Sequence, residues 1–182
     1  RFNVGQMGRI LVDEGVTMMP LVPPAILAIC QAAEAGQFPR DHHVRWVKSG
    51  AAPLAPDLPR RFTELTNILV CQGYGMTEAS PVTHVGFLEP ALYRPDSIGH
   101  PLAQTDCRVL ATSNLDISSR ADELAEVAGS QPGELVMRGP QFMLGYWKEP
   151  QATAAVLRDG WYWSGDIVTR DRILVQPLTG QE

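Results

Sequence analysis

The apolar run Ile68-Leu69-Val70-Cys71 leads without a break into Gln72-Gly73-Tyr74-Gly75-Met76-Thr77-Glu78, and this junction constrains the chain more than any other stretch. A short apolar run rich in β-branched residues predicts a buried strand. A glycine-flanked aromatic followed by a hydroxyl and a carboxylate predicts that the strand ends at Gln72 in a turn. Such a turn presents backbone to a ligand at the carboxyl edge of a sheet, where open α/β folds bind nucleotides. Gly73 and Gly75 permit close approach or positive φ. Tyr74 offers a flat face for a base, and Glu78 suits a hard cation shared with phosphate oxygens. Taken alone, these residues fit an ordinary strand-ending turn equally well; their surroundings decide.

Upstream, helix-like and strand-like segments alternate. Val4 to Glu14 has helical apolar spacing, Val16 to Met19 reads as a strand, and Pro23 opens a helix over Ala25 to Ala35. Val44 to Val47 reads as a strand, Asp57 to Leu65 as a helix, and Ile68 to Gln72 as another strand. That order predicts a parallel sheet covered by helices, with the turns at Ser49-Gly50 and Gln72-Gly73 delivered to one edge. After about Pro81 the texture changes to short β-like segments punctuated by Gly and Pro: Val82 to Phe87, Cys107 to Ala111, Glu134 to Arg138, Ile167 to Arg170 and Ile173 to Gln176. One helix is expected over Gln151 to Leu157, behind Pro150. Asn114 to Gln131 is expected to be a loop or a short exposed helix. The predicted fold class is α/β: a parallel sheet with flanking helices over residues 1–85, then a small, mostly antiparallel β-barrel-like subdomain over 86–171, then a divergent tail, 172–182.

A net charge of −5 gives no general attraction to nucleic acid or anionic membrane. The best apolar run, Ala25 to Cys30, is far too short to span a bilayer, so no stable membrane insertion is expected. Cys30, Cys71 and Cys107 are odd in number and lack metal spacing, which predicts free thiols in a reducing compartment and a cytoplasmic location. Arg1 in place of an initiating Met leads to the expectation of a cropped or processed chain. His42-His43 is expected to be a solvated loop pair, because no cysteine or carboxylate stands at ligand spacing. Trp161, Tyr162 and Trp163 are expected to pack the β unit.

A second block follows the first: Gly133-Glu134-Leu135-Val136-Met137-Arg138-Gly139-Pro140, then Met143-Leu144-Gly145-Tyr146-Trp147, Pro150, Ala152-Thr153, Asp159-Gly160-Trp161 and Ser164-Gly165-Asp166-Ile167. Together with Tyr74 to Glu78, Ser49-Gly50-Ala51-Ala52-Pro53-Leu54 and Ser97-Ile98-Gly99-His100-Pro101, this order resembles the adenylate-forming superfamily of acyl- and aryl-CoA synthetases, luciferases and peptide-synthetase adenylation domains. The resemblance runs from about Phe2 to Asp171 and implies part of the family's large N-terminal domain.

The resemblance implies activation of a carboxylic acid by ATP to an acyl-adenylate, then transfer to coenzyme A. It implies Thr77 at the α-phosphate, Glu78 at Mg²⁺, and Tyr74 on adenine with Gly73, Gly75 and Met76 beside it. It further implies Asp166 at the ribose hydroxyls of ATP or AMP, and Gly50, Ala51 and Ala52 lining the adenine and acyl pockets. Met76 stands where peptide-synthetase domains carry proline, which brings the chain closer to CoA ligases. The Ser/Thr/Gly-rich phosphate loop and the C-terminal lysine of the family have no counterpart here, and Lys48 and Lys148 do not match their contexts. The isolated chain is therefore expected to be incompetent in adenylation; the alternative reading is a non-catalytic remnant or an oligomerising, nucleotide-binding module, and behind it stand a peptide-synthetase adenylation domain and a luciferase-like enzyme. An exposed strand edge and apolar surface lead to the expectation of a homodimer or swapped oligomer.

Overall fold

The computed structural model describes residues 2–52, 54–89, 92–94, 97–111 and 120–170. It divides into two compact units, Arg1–Gly75 with His84–Gly99, and Met76–Thr83 with His100–Glu182.

The first unit alternates helix and strand. Helix α1, Val4–Asp13, begins at Asn3, whose side chain accepts from the Gln6 N–H at 2.9 Å and satisfies one of the open amides of the first turn. Strand β1 (Met18–Leu21), helix α2 (Pro23–Glu34), strand β2 (Trp46–Ser49), helix α3 (Leu58–Thr66) and strand β3 (Leu69–Gly75) follow. Pro23 and Pro24 open α2, where the missing amide would lack a helical partner anyway. Asn67, in the left-handed region at φ 59°, closes α3.

The three strands run parallel, pairing Met18 with Trp46 and Trp46 with Leu69, then Leu21 with Ser49 and Ser49 with Gln72. Val47 and Val70 are Cα partners in this register. Both are fully buried in one cluster with Ile26, Ile29 and Cys30 of α2 and Leu58 and Phe62 of α3. The helices therefore cover one face of the sheet, as the βαβ alternation predicts. Beyond β3 in strand order lies β4, Val82–Val85, and Gly86 donates to the Gln72 carbonyl at 2.9 Å. The Tyr93 hydroxyl serves the edge of β3, donating to the Val70 carbonyl at 2.8 Å.

The second unit carries a curled antiparallel sheet. Strand β5 is His100–Pro101, followed by β6 (Asp106–Leu110), β7 (Pro132–Arg138), helix α4 (Pro150–Val156), β8 (Leu157–Arg158) and β9 (Trp161–Thr169). The sheet order is β6-β7-β9-β8, every pair antiparallel, with a bulge between Glu134 and Val136. Leu110, Ala121, Val136, Trp161 and Trp163 form its core. The guanidinium of Arg138 lies 4.5 Å from the Trp161 ring, and that of Arg158 4.5 Å from Trp163, so each indole also carries a cation on its face. Gly133 is required where β7 starts, since a Cβ there would sit 2.5 Å from the Leu110 carbonyl oxygen.

Several expectations shift. Val16 is held by α1, its amide donating to the Leu11 carbonyl at 3.2 Å, so β1 starts two residues later than its hydropathy alone implied. β3 runs through Gly73-Tyr74-Gly75 rather than ending at Gln72, and neither glycine has positive φ. β9 is a nine-residue strand that includes the aromatic triplet. The segment Ile173 to Gln176 and the tail 172–182 lie outside the described residues. Among those described, no helix is long and apolar enough to cross a membrane.

Phe62 is the largest side chain at zero exposure. Phe62→Ala is expected to destabilise the first unit by about 3–5 kcal/mol, read as a lower urea midpoint.

Candidate functional site

In the first unit the parallel register decides the geometry. Because Ser49 pairs with Gln72, Gly50 and Gly73 leave that rung side by side, and a Cβ on Gly50 would stand 3.4 Å from the Gly73 carbonyl oxygen. The Lys48 side chain lies across Gly73: a Cβ there would be 2.3 Å from Lys48 Cε. The glycine thus provides close approach without a left-handed backbone. Ala51, in contrast, sits at φ 69°, a conformation that costs a non-glycine residue about 1–2 kcal/mol. Ala52 follows it, exposed. The ring of Tyr74 meets His84 edge to face, with centroids 5.8 Å apart. Gly75 closes the strand.

In the second unit Met76 is extended, and Thr77–Ala79 forms one 3₁₀ turn ending at Ser80, φ 54°. Thr77 is exposed, and Glu78 is half-buried. Glu78 is fixed at both ends. Its carbonyl oxygen accepts from the Met143 amide at 2.7 Å, and its Oε1 accepts from the Tyr146 hydroxyl at 2.6 Å. The bond to Glu78 is the main reason the Tyr146 phenol is pushed well above the usual tyrosine range, and burial adds to it. Tyr162 is raised as well, first by burial and then by the negative charges of Glu78 and Asp166. The Tyr162 ring stacks on Phe142 at 5.4 Å.

Asp166 is exposed on β9, within the bulged stretch between Trp163 and Ile167. The Ser164 hydroxyl donates to the Leu135 carbonyl at 2.6 Å and accepts from the Asp166 amide at 3.1 Å. Gly165, at φ 73°, donates its amide to Glu134 at 3.1 Å. These bonds fix the backbone that carries the carboxylate.

The second unit therefore groups Glu78 with Tyr146 and Tyr162, and the charge of Asp166 is felt by Tyr162. Gly50, Ala51, Ala52, Gly73, Tyr74 and Gly75 are grouped in the first unit. Sequence reasoning did not single out Tyr146 or Thr153 for a role, and it gave Tyr162 a packing role only. The sole signal for Tyr146 was its place in the Gly145-Tyr146-Trp147 block. His42 is not simply solvated: its Nε2 lies 3.3 Å from the Thr66 carbonyl oxygen and its ring meets Phe38.

A cation such as Mg²⁺ fits Glu78 in a limited way. Among the described residues no group of three His, Cys, Asp or Glu side chains gathers to hold a metal, and Oε2 of Glu78 accepts no hydrogen bond. One open carboxylate oxygen suits an ion that is otherwise held by water and by phosphate oxygens of a ligand.

Residues 2–147 match the profile of the family described as AMP-binding enzyme. The chain is 36% identical over 151 residues to a long-chain-fatty-acid–CoA ligase of Bacillus subtilis (strain 168), covering 83% of this chain and 25% of the relative. It is 35% identical over 172 residues to 4-coumarate–CoA ligase 1 of Arabidopsis thaliana, covering 92% of this chain and 29% of the relative. The fold is that of a long-chain-fatty-acid-CoA ligase crystal structure from Archaeoglobus fulgidus, with a TM-score of 0.81 at 22% identity, covering 95% of this chain and 36% of that one. The chain spans between a quarter and about a third of the length of these proteins.

The raised tyrosines set a pH dependence. A phenol whose folded pKa exceeds its unfolded value contributes stability that is complete below the unfolded pKa, about 10, and is lost as pH rises through the folded value. The Tyr146→Phe variant is expected to lose stability less steeply than the parent above about pH 10, measured as urea midpoint against pH. Parallel curves would contradict the Glu78–Tyr146 bond.

Proposed function

The chain belongs to the AMP-binding enzyme family, and we propose that it is part of an ATP-dependent acyl- or aryl-CoA ligase. The reaction begins with attack of a substrate carboxylate oxygen on the α-phosphorus of ATP; pyrophosphate leaves and an acyl-adenylate forms. The thiol of coenzyme A then attacks the acyl carbon, the thioester forms, and AMP leaves. The first step concentrates negative charge at the α-phosphate, so it depends on donors and cations placed there beforehand.

The observation that carries this reading is the Thr77-Glu78 turn, with its carboxylate tied at one oxygen and open at the other. Thr77, exposed at the start of the turn, donates its hydroxyl to an α-phosphate oxygen. Glu78 offers Oε2 to Mg²⁺, which when bound offsets phosphate charge. Tyr74 provides a face for adenine; Gly73 and Gly75 lack side chains that would obstruct it, and Met76 follows as an apolar wall. Asp166 accepts from the two ribose hydroxyls, which a single carboxylate can do at once. Gly50, Ala51 and Ala52 line the adenine and acyl pockets, where small side chains leave room.

A cytoplasmic setting is supported by three cysteines that form no disulfide. Self-association is supported by exposed Phe2, Ile10, Met18, Val22 and Leu27 in the first unit. Static light scattering at rising concentration is expected to give a mass above 19.9 kDa, and a constant monomer mass would count against it.

Calorimetric titration with Mg²⁺ and a non-hydrolysable acyl-adenylate analogue tests the functional reading. Saturable binding is expected, weakened at least tenfold in Asp166→Ala, the order expected when a hydrogen-bonded charged group is removed. Equal affinity in the variant, or no binding by the parent chain, would contradict the roles given to these residues.

A further inference from the structure

Tyr146 is held in a way that packing does not explain. Its amide donates to Thr153 Oγ1 at 2.9 Å, and that hydroxyl donates in turn to the Glu149 carbonyl at 2.9 Å. Gly145, at φ 151°, lets the loop meet the helix, since a Cβ there would be 2.8 Å from Thr153 Cγ2. Yet α4 contributes no buried residue, Tyr146 is 37% exposed, and its neighbours Leu144 and Trp147 are open to solvent. The loop and the helix are thus joined to each other by polar contacts, and the Tyr146 hydroxyl links them to the Glu78 carboxylate.

We propose that Tyr146 is a positioning residue for Glu78: its hydroxyl ties down Oε1 so that Oε2 is presented to the metal ion of a metal–nucleotide complex, with Thr153 and Gly145 setting Tyr146 in place. The inference rests on the reading of Glu78 as the metal-holding carboxylate. A free glutamate must freeze its side-chain torsions when it takes a cation, whereas a tethered one has already done so. The bond is short and charge-assisted, the kind that orients a ligand oxygen rather than merely satisfying it.

The test uses the 182-residue chain and Mn²⁺·ATP as the probe, following free Mn²⁺ by electron paramagnetic resonance. Metal-free AMP affinity is measured in parallel by calorimetry with chelator present. Tyr146→Phe is expected to weaken Mn²⁺ binding roughly tenfold, the usual scale for loss of a partner that orients a metal ligand, while metal-free AMP affinity stays unchanged. Thr153→Val should weaken Mn²⁺ binding in the same sense, and Thr153→Ser, which keeps the hydroxyl, should behave as the parent. Tyr146→Phe binding Mn²⁺ like the parent, while Glu78→Gln loses it, would overturn this inference and leave the metal role of Glu78 standing. Equal losses of metal and metal-free AMP affinity in Tyr146→Phe would also overturn it, marking a general structural defect. Glu78→Gln without effect on Mn²⁺ would overturn both readings together.

Discussion

Leu21, Ser49 and Gln72 lie side by side as paired residues of three parallel strands, and the chemistry assigned to the first unit hangs on that rung. Beyond it, β2 gives way to Gly50 and Ala51 while β3 continues through Gly73 to Gly75. Two segments far apart in sequence therefore present backbone at one edge. A slip of one residue would turn Val47 and Val70 out of the cluster they share with α2 and α3, so burial of that cluster enforces the register. Packing on one face of the sheet thereby fixes where its glycines emerge.

The second unit solves a different problem. Its two candidate carboxylates are not buried: Glu78 is half-buried and Asp166 is exposed. Glu78 and Asp166 are instead held through neighbouring backbone and hydroxyl groups: Met143 and Tyr146 for the first, Ser164 with Glu134 at the bulge for the second. The aromatic triplet supplies the rigid base, with Trp161 and Trp163 in the core and Tyr162 facing the acidic side. Hydrogen bonds to backbone and hydroxyl groups thus position the two segments without burying their carboxylates.

Much of this was legible in the sequence, because the signals were local. Alternating helical and strand-like periods announced the parallel unit, and short segments separated by Gly and Pro announced the antiparallel one. Strand limits were less legible. Val16 looks like a strand residue by hydropathy, yet its amide closes α1, and only backbone bonding reveals that competition. Gly73 and Gly75 suggested a turn, whereas the close approach of Lys48 lets an extended strand use a glycine. Glu78 stood out beside a glycine-flanked aromatic, but its role and that of Asp166 came from the resemblance of their motifs to a known family rather than from local chemistry. Tyr146 did not stand out, since its meaning lies in a hydroxyl that reaches a residue 68 positions earlier. No local pattern encodes that distance.

The central claim is that the glycine-bearing strand ends and the two carboxylates serve nucleotide recognition. Nitrogen–proton correlation NMR of the labelled chain, titrated with AMP and Mg²⁺, tests it most directly. The account predicts concentrated shifts at the amides of Gly50, Gly73, Gly75, Thr77 and Asp166, with α1 undisturbed. Shifts confined to other surfaces, or none at saturating AMP, would contradict it.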